Sequence, residues 1–97
     1  MIEITVKAAG VTIKGHADKT KADHALVCCA VSTVIQSFAL VFGNLSDKPL
    51  AYRIAEGDSF LDWGNAADSV GYMLVEGLYI VLAKLAADNP DHIIFKD

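Results

Sequence analysis

Eighteen consecutive residues, Ala25 to Phe42, carry no formal charge. A run of that length is a long helix that must be buried in a core or handed to a membrane. Its polar residues Ser32, Thr33, Gln36 and Ser37 fall three and four apart, which places them on one stripe. No aromatic and basic anchors flank the run, as they do around bilayer spans. The stretch therefore reads as a helix of a soluble domain, apolar nearly all round and buried on most sides. Thr20 or Asp23 is placed to cap its start, and Gly43-Asn44 ends it at about Phe42.

The segments around this helix alternate like strands. Residues 2–7 (Ile2-Glu3-Ile4-Thr5-Val6-Lys7) and Val11-Thr12-Ile13-Lys14 each alternate apolar with polar, and Ala8-Ala9-Gly10 supplies the turn of a hairpin. After a loop at Leu45 to Lys48, residues 50–56 and 59–63 read as a second hairpin about Gly57-Asp58. Gly64-Asn65 opens a second helix, with Asn65 and Asp68 in capping-box-like spacing. Its expected buried face is Val70, Met73, Leu74, Gly77, Leu78, Val81, Leu82 and Leu85, with Tyr72 and Tyr79 lying elsewhere. Asp88-Asn89-Pro90 stops this helix, and residues 92–96 form a last strand. The order ββαββαβ predicts a two-layer α+β domain, a mainly antiparallel sheet covered by two helices, with residues 1–97 as one domain.

Charge and composition narrow the function. The 97 residues hold 12 acids and 8 bases, for a net charge of −4, with no basic run. That balance argues against direct nucleic-acid binding but would not repel a basic polypeptide. The hydrophobic fraction of 54% exceeds the roughly 45–50% usual for soluble domains and suggests apolar surface buried between two copies. The start, Met1-Ile2-Glu3-Ile4, has no signal-type pattern, and the two cysteines are sequence neighbours that seldom bridge. A reduced, cytoplasmic setting is expected.

The chemistry-bearing stretch runs from Gly15 to Ser32. His16 leaves the second strand, a charged loop follows, and Cys28 and Cys29 sit near the start of the long helix. Imidazole and thiol are the two groups that cysteine-type nucleophilic catalysis needs. Free backbone N–H groups and the helix dipole at a helix start favour a thiolate. Free cysteines also serve simply as small hydrophobes in a core. Helical spacing puts Cys29 nearest the polar stripe and slightly favours it as the more polar position. Asp18 and Asp23 bracket the loop; either has the chemistry to orient His16, although solvation and capping are their commoner roles. His24, at the helix start, reads as a capping or solvent-facing residue. A zinc site is disfavoured, because adjacent cysteines point about 100° apart on a helix. No phosphate-binding glycine loop is present, so no metal and no cofactor is expected.

At these residues the chain resembles the ribosomal-processing cysteine protease family called Prp. That family carries Gly-His-Ala at the end of its second strand and Asp-Ile-Val-Cys-Ala-Ala-Val-Ser opening a helix. Gly15-His16-Ala17 is similar to the first pattern, and Ala25-Leu26-Val27-Cys28-Cys29-Ala30-Val31-Ser32 to the second, with the family's separation from His16 to Cys28. The resemblance implies His16 as base and Cys28 as nucleophile, and makes Cys29 a bystander. Ser32, with Cys29 beside it, would support the dyad or the oxyanion, together with backbone N–H groups at the helix start. The implied substrate is the N-terminal extension of ribosomal protein L-twenty-seven, cut after an aromatic residue, and the implied state is a homodimer. Two departures stand out. The loop 19–23 has no glycine, and the family's aspartate three residues before the cysteine is Ala25 here. The alternative is a non-catalytic binding or assembly module that keeps the fold.

Overall fold

A computed structural model describes residues 1–64 and 68–96. The elements are β1 (Ile2–Lys7), β2 (Gly10–Lys14), α1 (His24–Leu45), β3 (Ala51–Arg53), β4 (Asp58–Asp62), α2 (Ser69–Asp88) and β5 (Ile93–Lys96). This is the expected ββαββαβ order. The strands make one sheet in the order β3-β4-β2-β1-β5, antiparallel except where β5 joins β1 in parallel.

The alternation in the sequence becomes the two faces of this sheet. Ile2, Ile4, Val11, Ile13, Leu61 and Ile93 point inward and are buried with the helices. The opposite face is polar, and there Glu3, Lys14 and Asp58 line up across three strands. Lys14 pairs with Asp58 at 2.7 Å and Lys96 with Glu3 at 3.2 Å. Such exposed pairs set register more than they add stability.

Both helices lie on the inner face. α1 buries Val27, Val31, Ile35, Phe38 and Phe42, a single stripe. Leu26, Leu40 and Leu45 remain exposed, so the expectation of burial on most sides is corrected. A two-layer domain offers a helix one sheet face and one neighbour; the outer side meets nothing. α2 buries Gly71, Val75, Leu78 and Leu82, whereas Val70, Met73 and Val81 of the expected face are exposed. The stripe is rotated because Tyr79 turns inward. Its ring packs 5.9 Å from Trp63 and its hydroxyl donates to the Lys7 carbonyl at 3.0 Å. By length and composition both helices could cross a membrane; here each gives its stripe to the sheet.

Boundaries differ from expectation for local reasons. α1 continues through Gly43, which does not adopt a positive φ, and Asn44, whose amide donates to the Leu40 carbonyl. It ends where Ser46 turns extended and its N–H donates to Phe42. β3 is shorter than residues 50–56 because the buried Ser59 hydroxyl bonds both backbone groups of Ala55, pulling the chain into a turn. α2 begins after Asp68, whose carboxylate accepts the Gly71 N–H at 2.8 Å. The expected capping partner Asn65 lies outside the described residues.

Candidate active site

The site begins where β2 stops. Gly15 has φ of 92°, and a Cβ there would stand 2.2 Å from the Met1 carbonyl oxygen, so only glycine turns the chain at this point. Its N–H donates to the Gly57 carbonyl at 2.9 Å, which ties the end of β2 to the β3–β4 turn. His16 follows, half-buried, with its ring laid against Gly57. A Cβ on Gly57 would lie 2.5 Å from His16 Nε2 and 2.8 Å from Cε1. Gly57 is therefore a seat for the imidazole, in a positive-φ turn that Ser59 holds from beneath. Among the described residues the His16 ring has no hydrogen-bond partner.

α1 forms the facing wall. Cys28 is half-buried and packs against the core, while Cys29, turned outward by one residue, is exposed and stands 4.0 Å from Thr33 Oγ1. Ser32 and Gln36 continue the wall at one-turn intervals above Cys28. A cleft of about 360 Å³ is lined by His16, Cys28, Cys29, Ser32, Gln36 and Gly57, among others. All four residues singled out from the sequence thus meet in one place. Gln36, from the polar stripe of the helix, lines the same cleft, and so do Gly57 and Ser59, which sequence reasoning read only as turn and strand residues. Glu56 and Asp58 also line the cleft, and Asp58 is paired with Lys14 at 2.7 Å and Arg53 at 3.6 Å. A hydrogen bond from Lys14, with its charge and that of Arg53, holds the Asp58 carboxyl below the usual carboxylate range.

The charged loop is arranged otherwise than expected. Asp18 accepts from the Thr20 hydroxyl at 2.6 Å and from its N–H at 3.0 Å, which lowers its pKa. Asp23 takes the N-cap position but makes no cap bond; its carboxylate lies 2.8 Å from His92 Nε2, and that bond lowers its pKa. Neither aspartate bonds to His16. Thr20 does not cap α1 either. His24 does not cap α1: its Nδ1–H donates to the Lys21 carbonyl at 2.9 Å, outside the helix, and no helix N–H is taken up.

The helix-start donors are also displaced. Cys28 is the fifth residue of α1, and the ladder already closes at Val27, whose N–H donates to the Asp23 carbonyl. An N–H one turn inside a helix is committed to that ladder, and the dipole fades beyond the first turn. The Cys28 N–H is therefore not among the free donors of the helix start. No cluster of three or more metal-ligating side chains occurs among the described residues.

Comparison with known proteins bears on what such a cleft is for. A search of curated proteins finds no match. Among solved structures, the ribosomal processing protease Prp of Staphylococcus aureus with a substrate peptide is similar at a TM-score of 0.82 and 16% identity, covering 98% of this chain and 95% of that one. The same protein with a covalently linked product peptide gives 0.80 and 17%, with the same coverage. SMU.848 from Streptococcus mutans gives 0.75 and 20%, covering 98% and 90%. At these identities the structures establish the shared fold. The sequence model of the family described as cysteine protease Prp matches residues 1–94. With nearly its whole length matched, the chain belongs to the cysteine protease Prp family, and so to the cysteine peptidases.

Proposed function

We propose that this chain is a ribosomal-processing endopeptidase in which Cys28 is the nucleophile and His16 the general acid and base. The observation that carries the reading is the convergence of both side chains on one cleft from two separate elements. The Cys28 thiolate attacks the scissile carbonyl, and the imidazolium of His16 protonates the leaving amine. Water, deprotonated by His16, then hydrolyses the thioester. Ser32, one turn from Cys28 on the same wall, supplies a donor for the developing oxyanion, a term worth about 3 kcal/mol per donor in comparable sites. Cys29 lies beside it as a bystander.

The substrate we assign is the N-terminal extension of ribosomal protein L-twenty-seven, cut after an aromatic residue. The Staphylococcus aureus relative is a ribosomal processing protease solved with a substrate peptide. The exposed apolar sides of α1 and α2, including Leu26, Leu40, Met73 and Ile80, fit a homodimer working in the cytoplasm.

Incubation with a peptide spanning the extension and its junction tests the reading. Cleavage on the C-terminal side of the aromatic residue is expected, lost in Cys28→Ala and in His16→Ala and retained in Cys29→Ala. Full activity in Cys28→Ala contradicts the assignment. Binding of the peptide without cleavage would identify a binding module instead.

A further inference from the structure

His92 is buried, with 2% of its surface exposed, and the peptidase mechanism gives it no task. It is fixed to the sheet, because its carbonyl accepts the Ile2 N–H at 2.7 Å. From there its ring reaches both ends of the connection between β2 and α1. Nδ1 accepts the Asp18 N–H at 3.0 Å, and Nε2 lies 2.8 Å from Asp23 Oδ1. A backbone N–H can only donate, so Nδ1 holds a lone pair. The ring proton is then on Nε2 and is donated to Asp23. Both nitrogens of one neutral, buried imidazole are thus occupied in holding one short loop.

That loop is the only covalent path from β2 to α1 and joins the two proposed catalytic groups. It starts two residues after His16, past the buried Ala17, and ends five residues before Cys28. It contains no glycine. Asp23 stands at the N-cap of α1 yet leaves the helix uncapped by its side chain, which goes to His92 instead. We propose that His92 is a positioning residue: it clamps both ends of the 18–23 connection to the sheet and so sets the separation of His16 and Cys28 across the cleft. The inference rests on the peptidase reading, since it concerns the geometry of that dyad.

The test uses Asp23, which is largely exposed, so that its replacement does not threaten the core. Lys19 and Lys21 are exposed within the clamped segment and provide tryptic sites there. In Asp23→Ala, nicking at these lysines should accelerate about ten-fold. The kcat on the extension peptide should fall about ten-fold while KM stays within about two-fold, because substrate contacts are intact and only the approach of the reacting groups is loosened. Asp23→Asn, whose side-chain carbonyl still accepts the Nε2 proton, should recover most of both. His92→Leu should exceed Asp23→Ala in both. Unchanged nicking in Asp23→Ala, or faster nicking with unchanged kcat, overturns the clamp while the peptidase reading stands. An unaltered chain that cleaves nothing overturns the peptidase reading and with it the role of the clamp in catalysis.

Discussion

Two connections lead from a strand into a helix in this molecule, and they start and finish alike. Each carries a glycine of positive φ just after its strand, Gly15 at 92° directly after β2 and Gly64 at 65° with one residue between it and the end of β4. Each ends on an aspartate at the N-cap, Asp23 and Asp68. The two aspartates do different things. Asp68 is extended, with ψ of 179°, and its carboxylate accepts from Gly71 at its own helix and from Ser46 and Asp47 at the end of α1. It knots two helix ends together. Asp23 has ψ of 9°, makes no cap bond, and reaches to His92. The connection that borders the cleft leaves its helix start without a side-chain cap and directs the carboxylate to loop placement. The connection away from the cleft uses the same residue type for stability. Departures from local stability rules concentrate where function needs a particular geometry.

The sharpest way to break this contrast is at the glycines. Gly15→Ala combines positive-φ strain with a collision against the Met1 backbone, and should cost at least about 3 kcal/mol in denaturant unfolding. Gly57→Ala should leave the fold largely formed yet lower kcat about a hundred-fold, because the new methyl occupies the seat of the His16 ring. Steady-state kinetics beside a melting curve would separate the two effects. Gly64→Ala, whose methyl would meet no atom within 4 Å among the described residues, should cost the backbone strain, about 1 kcal/mol.

The aspartates give smaller and more diagnostic effects. Asp68→Ala should lower Tm clearly more than Asp23→Ala, since it removes three hydrogen bonds that include a true cap. Acid sharpens the same comparison. Both carboxyls titrate below their ordinary value of 3.8 in the fold, Asp68 because the Gly71 and Asp47 N–H groups and the Ser46 hydroxyl donate to it, Asp23 because of the His92 bond. A lowered folded pKa stabilises the protein above the ordinary value and loses that contribution as pH falls through the folded value. Melting between about pH 5 and pH 2 should therefore show Tm falling, with a shallower fall in Asp68→Ala than in Asp23→Ala.

Much of the fold was legible because it depends on local pattern. Period-two alternation in 2–7 and 11–14 and the uncharged run after Asp23 each dictate an element without reference to the rest of the chain. His16, Cys28, Cys29 and Ser32 were legible as chemistry and as a resemblance to a family. The remaining site residues depend on contacts between distant segments. Gly57 reads as an ordinary turn glycine until the His16 ring is seen against it. His92 reads as a strand-end polar residue until its bond to Asp23, 69 positions away, is in view. The buried face of α2 was misjudged for a similar reason, since Tyr79 turns inward only because Trp63 and the Lys7 carbonyl lie there to receive it.

The central claim, that His16 activates Cys28 in this cleft, is tested most directly by the order in which the two cysteines react. Cys29 is the more exposed thiol, so access alone would have iodoacetamide label it first. At neutral pH, with the sites resolved by mass spectrometry, the account predicts that Cys28 is labelled about ten-fold faster than Cys29 and that His16→Ala abolishes the preference. Faster labelling of Cys29, in an order indifferent to His16, would contradict it.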